Sequence, residues 1–412
     1  MYSRPDQMSP FYATEQTLMP TVIELIEKSA ALEGAIAPRT ARSISQLMLH
    51  ANSYYSNLIE GQHTRPLEVE ATLRNPARRN EDLVLLGIAH IQTEQAARDA
   101  VATGAKPHSS EFIKWLHGDF YKRLPNAMKL VKDTRGTERE VNEGAWRQCD
   151  VEVGEHVAPA HNRVPHLMEE FLRLYEPSQN KAVTLLRIAA AHHRFVWIHP
   201  FLDGNGRVGR LLTHAWLRYA GVMGSGLWSI SRGFARNKEK YLSCLKAADL
   251  PRHGDYDGRG NLSQRALDEF CAFALSIAAD QVAFMRNNFR FDILDQRLQR
   301  AFAEFAISVP GVREEGWRLV REAVVRGEIE RGEAKRITGL GERVSRQLVS
   351  TMLNCSLLGS ESEKGKLFAS FPIRAVGWYF PELFPPADVA QYGTTLEIGY
   401  NENSTDKIPL SR

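Results

Sequence analysis

The sequence predicts a mainly α-helical fold with one small β-hairpin and a C-terminal winged helix, and three observations carry that expectation. Apolar residues recur at helical spacing through most of the chain, whereas a two-residue alternation is confined to the stretch from Val151 to Val157. Beyond residue 310 the order becomes helix, helix, turn, helix, hairpin, which is winged-helix order. At 412 residues the chain exceeds what one core usually serves. The expected parts are an N-terminal helical region over 1–105, a central core over 106–290, a winged-helix-like domain over 291–375 and a tail over 376–412.

Taken in order, Val22, Ile23, Leu25 and Ile26 mark a short amphipathic stretch, and Pro38 reads as a breaker. From Thr40 the set Ile44, Leu47, Met48, Ala51, Tyr55, Leu58 and Ile59 follows helical spacing, and Gly61 is placed to end that helix. Ser56 and Glu60 lie one turn apart on its last turn. Residues 66–105 read as more helix, Lys106-Pro107 as a boundary, and Phe112, Ile113, Trp115 and Leu116 as the next helix, broken at Leu124-Pro125. Between Gly144 and Pro159, Val151, Val153 and Val157 alternate with polar residues, the pattern of a short hairpin. A helix from about Leu262 to Phe284 closes the central bundle.

The stretch from His199 to Arg210 holds the most chemistry. An apolar helical run containing Leu185, Leu186, Ile188 and His193 meets Pro200, which forbids its clean continuation, so His199 sits at a helix end. Gly204-Asn205-Gly206 can aim successive N–H groups into one concavity. From Val208, apolar positions at Leu211, Leu212, Ala215, Trp216 and Tyr219 start a new helix at about Arg207, whose N-terminus is a ready anion site. Arg207 and Arg210 oppose that helix dipole, at a cost of up to about 1 kcal/mol each, so an anion such as polyphosphate is expected to compensate them. Gly204, Gly206 and Gly209 also satisfy the dinucleotide fingerprint, but strand and helix do not alternate around them and no strand-end acid follows. His192 and His193, inside the helix, read as packing residues.

Composition bounds the rest. A 43% hydrophobic and 25% charged chain is that of an ordinary globular protein, and a net charge of +3 is too small to argue by itself for nucleic acid or membrane. Cys149, Cys244, Cys271 and Cys355 are widely spaced without C-x-x-C pairs, so neither a disulfide framework nor a zinc site is indicated. With no signal-like start and no long apolar run, the expectation is a cytoplasmic chain without a membrane partner. Asp255-Tyr256-Asp257-Gly258-Arg259-Gly260-Asn261 looks superficially like a calcium loop, but Arg259 and Ala266 stand where ligands belong.

His199-Pro200-Phe201-x-Asp203-Gly204-Asn205-Gly206-Arg207-x-x-Arg210 resembles the signature of the Fic family, whose members mostly transfer AMP from ATP to a protein hydroxyl. The resemblance implies a Fic-type helical bundle and the cofactors ATP and Mg²⁺. It implies that His199 is the general base, that Asp203 holds Mg²⁺, that Gly204, Asn205 and Gly206 cradle phosphate, and that Arg207 and Arg210 bind the polyphosphate. Ser56-Asn57-Leu58-Ile59-Glu60-Gly61 resembles the family's inhibitory motif, which implies that Glu60 pairs with Arg210 and obstructs the γ-phosphate, with Ser56 and Gly61 completing the motif. The hairpin would be the flap that clamps the target segment; Trp146-Arg147 and the stretch from Val164 to Met168 resemble its flanks. Asn237 and Tyr241 would lie near the nucleotide, although Tyr241 reads equally well as core. The aspartate-rich loop recurs in the same subgroup, where its role is structural.

Two functional classes stay open on the sequence. The first is a transferase attaching AMP to Ser, Thr or Tyr of a target protein, the chain itself included, autoinhibited by Glu60; transfer of UMP or another group, or removal of AMP, fits the same residues. The second is a DNA-binding regulator using the nucleotide site for sensing. Lys335, Arg336, Arg343, Arg346, Lys364 and Lys366 exceed Glu342, Glu361 and Glu363 only modestly, and Ser345, Arg346 and Gln347 would be the base readers. A homodimer is the remaining partner expectation, and the polar tail after Gly399 is expected to be mobile.

Overall fold

The computed structural model describes residues 15–75, 81–132, 136–258 and 260–390; Arg259 and the tail after Gly399 lie outside the described residues. Helices dominate, and the chain divides into two units, residues 1–34 with 48–286, and residues 35–47 with 287–412. That division differs from the expected one: residues 35–47 group with the C-terminal unit rather than with an N-terminal region.

In the first unit α1 (Glu15–Gly34) packs on α7 (Lys181–Ile198), which packs on α8 (Asn205–Tyr219). On this pair pack α4 (Asp82–Ala102) and α5 (Ser110–Lys122), both against α8, and α6 (Val164–Leu174), against α7, with α3 (Pro66–Arg74) on α4; α9 (Ile230–Arg236), α10 (Lys238–Ala248) and α11 (Gln264–Asn288) follow in the chain. Local chemistry explains several boundaries. The Asn180 side chain accepts from the amides of Ala182 and Val183 to start α7, and the Ser109 hydroxyl accepts from Phe112 N to start α5. Pro38 begins α2 (Pro38–Ile59) rather than breaking a helix, because a first-turn residue needs no amide donor. Gly61, at φ 78°, turns the chain after α2.

Buried aromatic faces hold α7 and α8 in place. Phe171 stacks on Trp216 with ring centroids 5.8 Å apart, and Phe195, Phe201, Leu211 and Leu212 are all buried. Each such side chain contributes about 1.5–3 kcal/mol by leaving water. The expected hairpin is present as β3 (Glu152–Val153) and β4 (His156–Val157), antiparallel, with Val153 opposite His156. A second hairpin of β1 (Leu130–Lys132) and β2 (Glu138–Glu140) was not expected. The aspartate-rich loop is structural: Asp257 accepts from the amides of His253 and Arg265, which fixes the entry to α11.

The second unit packs α12 (Phe291–Ser308) on α13 (Gly316–Arg326), then α14 (Ala334–Thr338), α15 (Glu342–Asn354) and the hairpin β5 (Leu358–Gly359) with β6 (Phe368–Ala369). Residues 376–384, expected in a tail, pack instead: α16 (Val376–Tyr379) lies on α12 and buries Val376, Tyr379, Phe380, Leu383 and Phe384. Ser345 is buried, with its hydroxyl 3.0 Å from the Gly341 carbonyl, so it is not a base reader. Arg346 pairs with Glu342 at 2.5 Å, and Arg336 with Glu333 at 2.7 Å. No helix among the described residues is long and apolar enough to cross a membrane.

Candidate functional site

The turn between α7 and α8 is fixed largely by its own atoms. His199 caps α7 in the left-handed region, at φ 52° and ψ 59°. Its Nδ1 lies 3.1 Å from the Val196 carbonyl, and because a carbonyl only accepts, Nδ1 carries the proton and Nε2 is left as the acceptor. Burial is the largest influence on this ring and lowers its pKa from 6.5 to about 4, the Val196 hydrogen bond opposing, so His199 is neutral at physiological pH.

Asn205 shapes this turn. Its Oδ1 accepts from Phe201 N at 2.9 Å and its Nδ2 donates to Phe201 O at 2.9 Å, so the side chain stitches the backbone instead of facing a ligand. The amides of the turn remain the groups able to meet phosphate. Gly204 sits at φ 78°, and a Cβ there would meet the Tyr121 ring at 2.7 Å. Tyr121 donates its hydroxyl to Asp203 Oδ2 at 2.7 Å. His117 accepts from Gly144 N at Nδ1, so its Nε2–H faces the Asp203 carbonyl at 3.3 Å, while its ring stacks on Phe201 at 3.8 Å.

The two arginines are held from α2. Arg210 donates through Nε to Ser56 Oγ at 2.9 Å and through Nη2 to the Ser56 carbonyl at 3.0 Å and Glu60 Oε1 at 2.6 Å. Arg207 donates through Nε to Asn57 Oδ1 at 3.1 Å and through Nη2 to Gln62 Oε1. Burial raises the Glu60 pKa, but Arg210 and Arg207 more than offset it and the carboxyl ends below its ordinary range. Its side chain keeps 34% exposure while Arg210 keeps 2%, so the acid forms the movable end of the pair. Gly206 leaves room for this contact, since a Cβ there would collide with the Glu60 carboxylate.

Glu60, Arg210, Gly206 and His199 line one cavity of about 680 Å³ whose other walls are the β3–β4 hairpin and α10. Arg147 fastens the base of the hairpin to the turn, donating to the carbonyls of His199 at 2.8 Å, Cys149 at 3.0 Å and Pro159. Tyr241 lines the cavity but is 1% exposed and stacks on Phe234 at 4.4 Å. Thr213 donates to Gly209 O and therefore accepts from His192 Nδ1, which leaves His192 Nε2 to accept the Tyr241 hydroxyl at 2.8 Å. Asn237 lies outside the lining: exposed between α9 and α10, it donates to the Gly233 carbonyl. Tyr121, Asn57, Gln62 and Asp249 are site-shaping residues that the sequence reading did not single out, and no spacing signal joins them to the turn.

Asp203 is the one carboxylate at this turn, and no group of three or more candidate metal ligands occurs among the described residues. That donor set suits Mg²⁺, which takes one or two carboxylates and completes its shell with phosphate oxygens and water, and not an ion that needs a protein cage.

Residues 107–217 match the Fic/DOC family. Protein adenylyltransferase Fic of Drosophila grimshawi is 35% identical over 114 residues, covering 26% of this chain and 24% of that protein. The same-named protein of Drosophila mojavensis is 34% identical over 102 residues, covering 24% and 20%. The chain thus spans about a quarter of the length of the first of these curated relatives, 24%. A crystal structure of a Fic family protein from Desulfovibrio desulfuricans G20 superposes with a TM-score of 0.50 at 18% identity, covering 88% of this chain and 98% of that one, a likeness of fold.

Proposed function

We propose, from the match of residues 107–217 to the Fic/DOC family, that this chain transfers AMP from ATP to the hydroxyl of a Ser, Thr or Tyr of a target protein, its own chain included, under restraint by Glu60. The observation that carries this reading is the cavity where a neutral His199, Arg210 and Glu60 meet beside a hairpin. His199 Nε2 takes the proton of the incoming hydroxyl, whose oxygen forms a bond to the α-phosphorus. The bond from that phosphorus to the bridging oxygen breaks, and diphosphate leaves with the electron pair. Positioned proton transfer of this kind contributes about 10²–10⁴-fold, and the rest comes from charge neutralisation and in-line placement.

The N–H groups at the start of α8 receive phosphate oxygens, and the guanidinium forks of Arg207 and Arg210 match them. Asp203 would hold Mg²⁺, which when bound neutralises charge on the triphosphate. In the restrained state Glu60 occupies the Arg210 guanidinium, so a γ-phosphate must displace it to be gripped. The hairpin offers extended backbone to a target segment, which holds a hydroxyl without demanding a particular sequence. The pairing of Arg336 and Arg346 with acids weighs against DNA as the principal partner of the second unit. Incubation of the Glu60→Gly protein with candidate targets and each nucleoside triphosphate, followed by intact-mass measurement, should add one adenylyl group from ATP. No adduct on any tested protein, from wild type or variant, would remove the reading.

A further inference from the structure

The β3–β4 hairpin cannot hold itself in place. Each strand has two residues, and its apolar side chains Val153 and Val157 are 50% and 69% exposed, so burial contributes little to its position. Arg147 ties down the base of the segment, and on β4 the only anchoring side chain is His156, 15% exposed. His156 Nε2 is 2.9 Å from the Trp197 carbonyl at the end of α7, and Nδ1 is 3.0 Å from Asp249 Oδ2 at the end of α10. Both partners are acceptors. A neutral imidazole has one N–H, so this double engagement requires the imidazolium.

The neighbouring histidine takes the opposite state. His193 Nδ1 faces Arg194 Nη1 at 3.2 Å and must accept, which places its proton on Nε2, 3.1 Å from Asp249 Oδ1 and 3.0 Å from the Leu245 carbonyl. Two histidines share one carboxylate, and the ring on the hairpin carries the charge. The other charged or titratable groups around His156 are Lys246 on α10, paired with Glu155 of the hairpin turn, Arg147 before the hairpin, and His199, its ring 6.4 Å away. Burial lowers the His156 pKa, but Asp249 and the Trp197 carbonyl more than offset this, and the net direction is upward.

We propose that His156, as the imidazolium bridging Trp197 O and Asp249, is the positioning residue that fastens the hairpin over the reaction cavity, and that loss of its proton releases the hairpin and weakens engagement of the protein target. The latch stands on the geometry alone; its kinetic consequence rests on the adenylyl-transfer reading. The sign follows from linkage: a histidine whose folded pKa is raised keeps its contribution at low pH and loses it as pH rises through that pKa.

The test uses the full chain. In histidine-detected NMR, His156 should titrate above the free-histidine value of about 6.5, and Asp249→Asn should bring it down. Protection of the amides of residues 153–157 against hydrogen exchange, taken relative to the intrinsic exchange rate at each pH, should fall with rising pH in the wild type and should be low at every pH in His156→Gln. Glu155→Gln, which removes only the exposed pair to Lys246, should leave that exchange unchanged. In a Glu60→Gly background, His156→Gln should raise KM for the target about tenfold, the scale of one charged hydrogen bond, with little change in kcat. A His156 that titrates below the free-histidine value, or protection that is unchanged in His156→Gln, would overturn the latch even if adenylyl transfer is observed. Absent transfer with the NMR and exchange results intact would instead count against the catalytic reading.

Discussion

The turn bearing His199 and the end of α2 bearing Glu60 meet in one cavity, yet they are assembled by different means. The turn is closed by contacts over three or four residues: His199 to the Val196 carbonyl, and Asn205 to both polar groups of Phe201. The α2 end reaches the turn through bonds between residues about 150 positions apart in sequence, ending in a carboxylate that is one-third exposed. The first arrangement closes on its own atoms without a ligand; the second ends in a contact that another anion could take. On the proposed adenylyl-transfer reading, that difference corresponds to a base that is always ready and a brake that can be displaced.

The comparison can be broken at several points. The largest effect should come from pH. Because burial lowers the His199 pKa from 6.5 to about 4, its base form persists in mild acid, and AMP transfer by Glu60→Gly should hold until pH falls toward 4. An acid limb near 6.5 would mean that the ring is solvated. Next is Gly204→Ala, which combines a positive φ with a Cβ pressed on Tyr121 and should cost about 1–3 kcal/mol in denaturant unfolding. Gly61→Ala, at the same φ of 78° but with nothing within 4 Å, should cost only about 1 kcal/mol. Equal costs would contradict the claim that the turn is the more tightly constrained region. The smallest effect should be that of Ser56→Ala, which removes the hydroxyl that accepts from Arg210 Nε. Initial rates should rise about fivefold, the scale of one hydrogen bond of about 1 kcal/mol; a fall would place Ser56 on the productive side of the reaction.

How much was legible in the sequence divides along the same line. The helix end at His199, the glycine turn and the helix after it could be read because proline, glycine and apolar spacing act locally. The holders of Arg207, Asn57 and Gln62, could not, because polar side chains carry no periodic signal and meet only when α2 and α8 pack. The β1–β2 hairpin escaped because its strands are mostly charged and exposed, without the alternation that a half-buried strand shows. The resemblance puts Asn205 with the glycines on phosphate, whereas the Phe201 amide and carbonyl claim its side chain. Asp249 gave no warning: a helix-end aspartate is common, and its two histidine partners lie on α7 and the hairpin.

The central claim is tested most directly by counting AMP transferred per protein from labelled ATP by wild type, Glu60→Gly and Glu60→Gly/His199→Ala. The account predicts little label on the first, a large rise on the second and a return to background on the third, with all three folded. Equal labelling of the second and third proteins would show that His199 is not the base, and equal labelling of the first and second would show that Glu60 is not the brake.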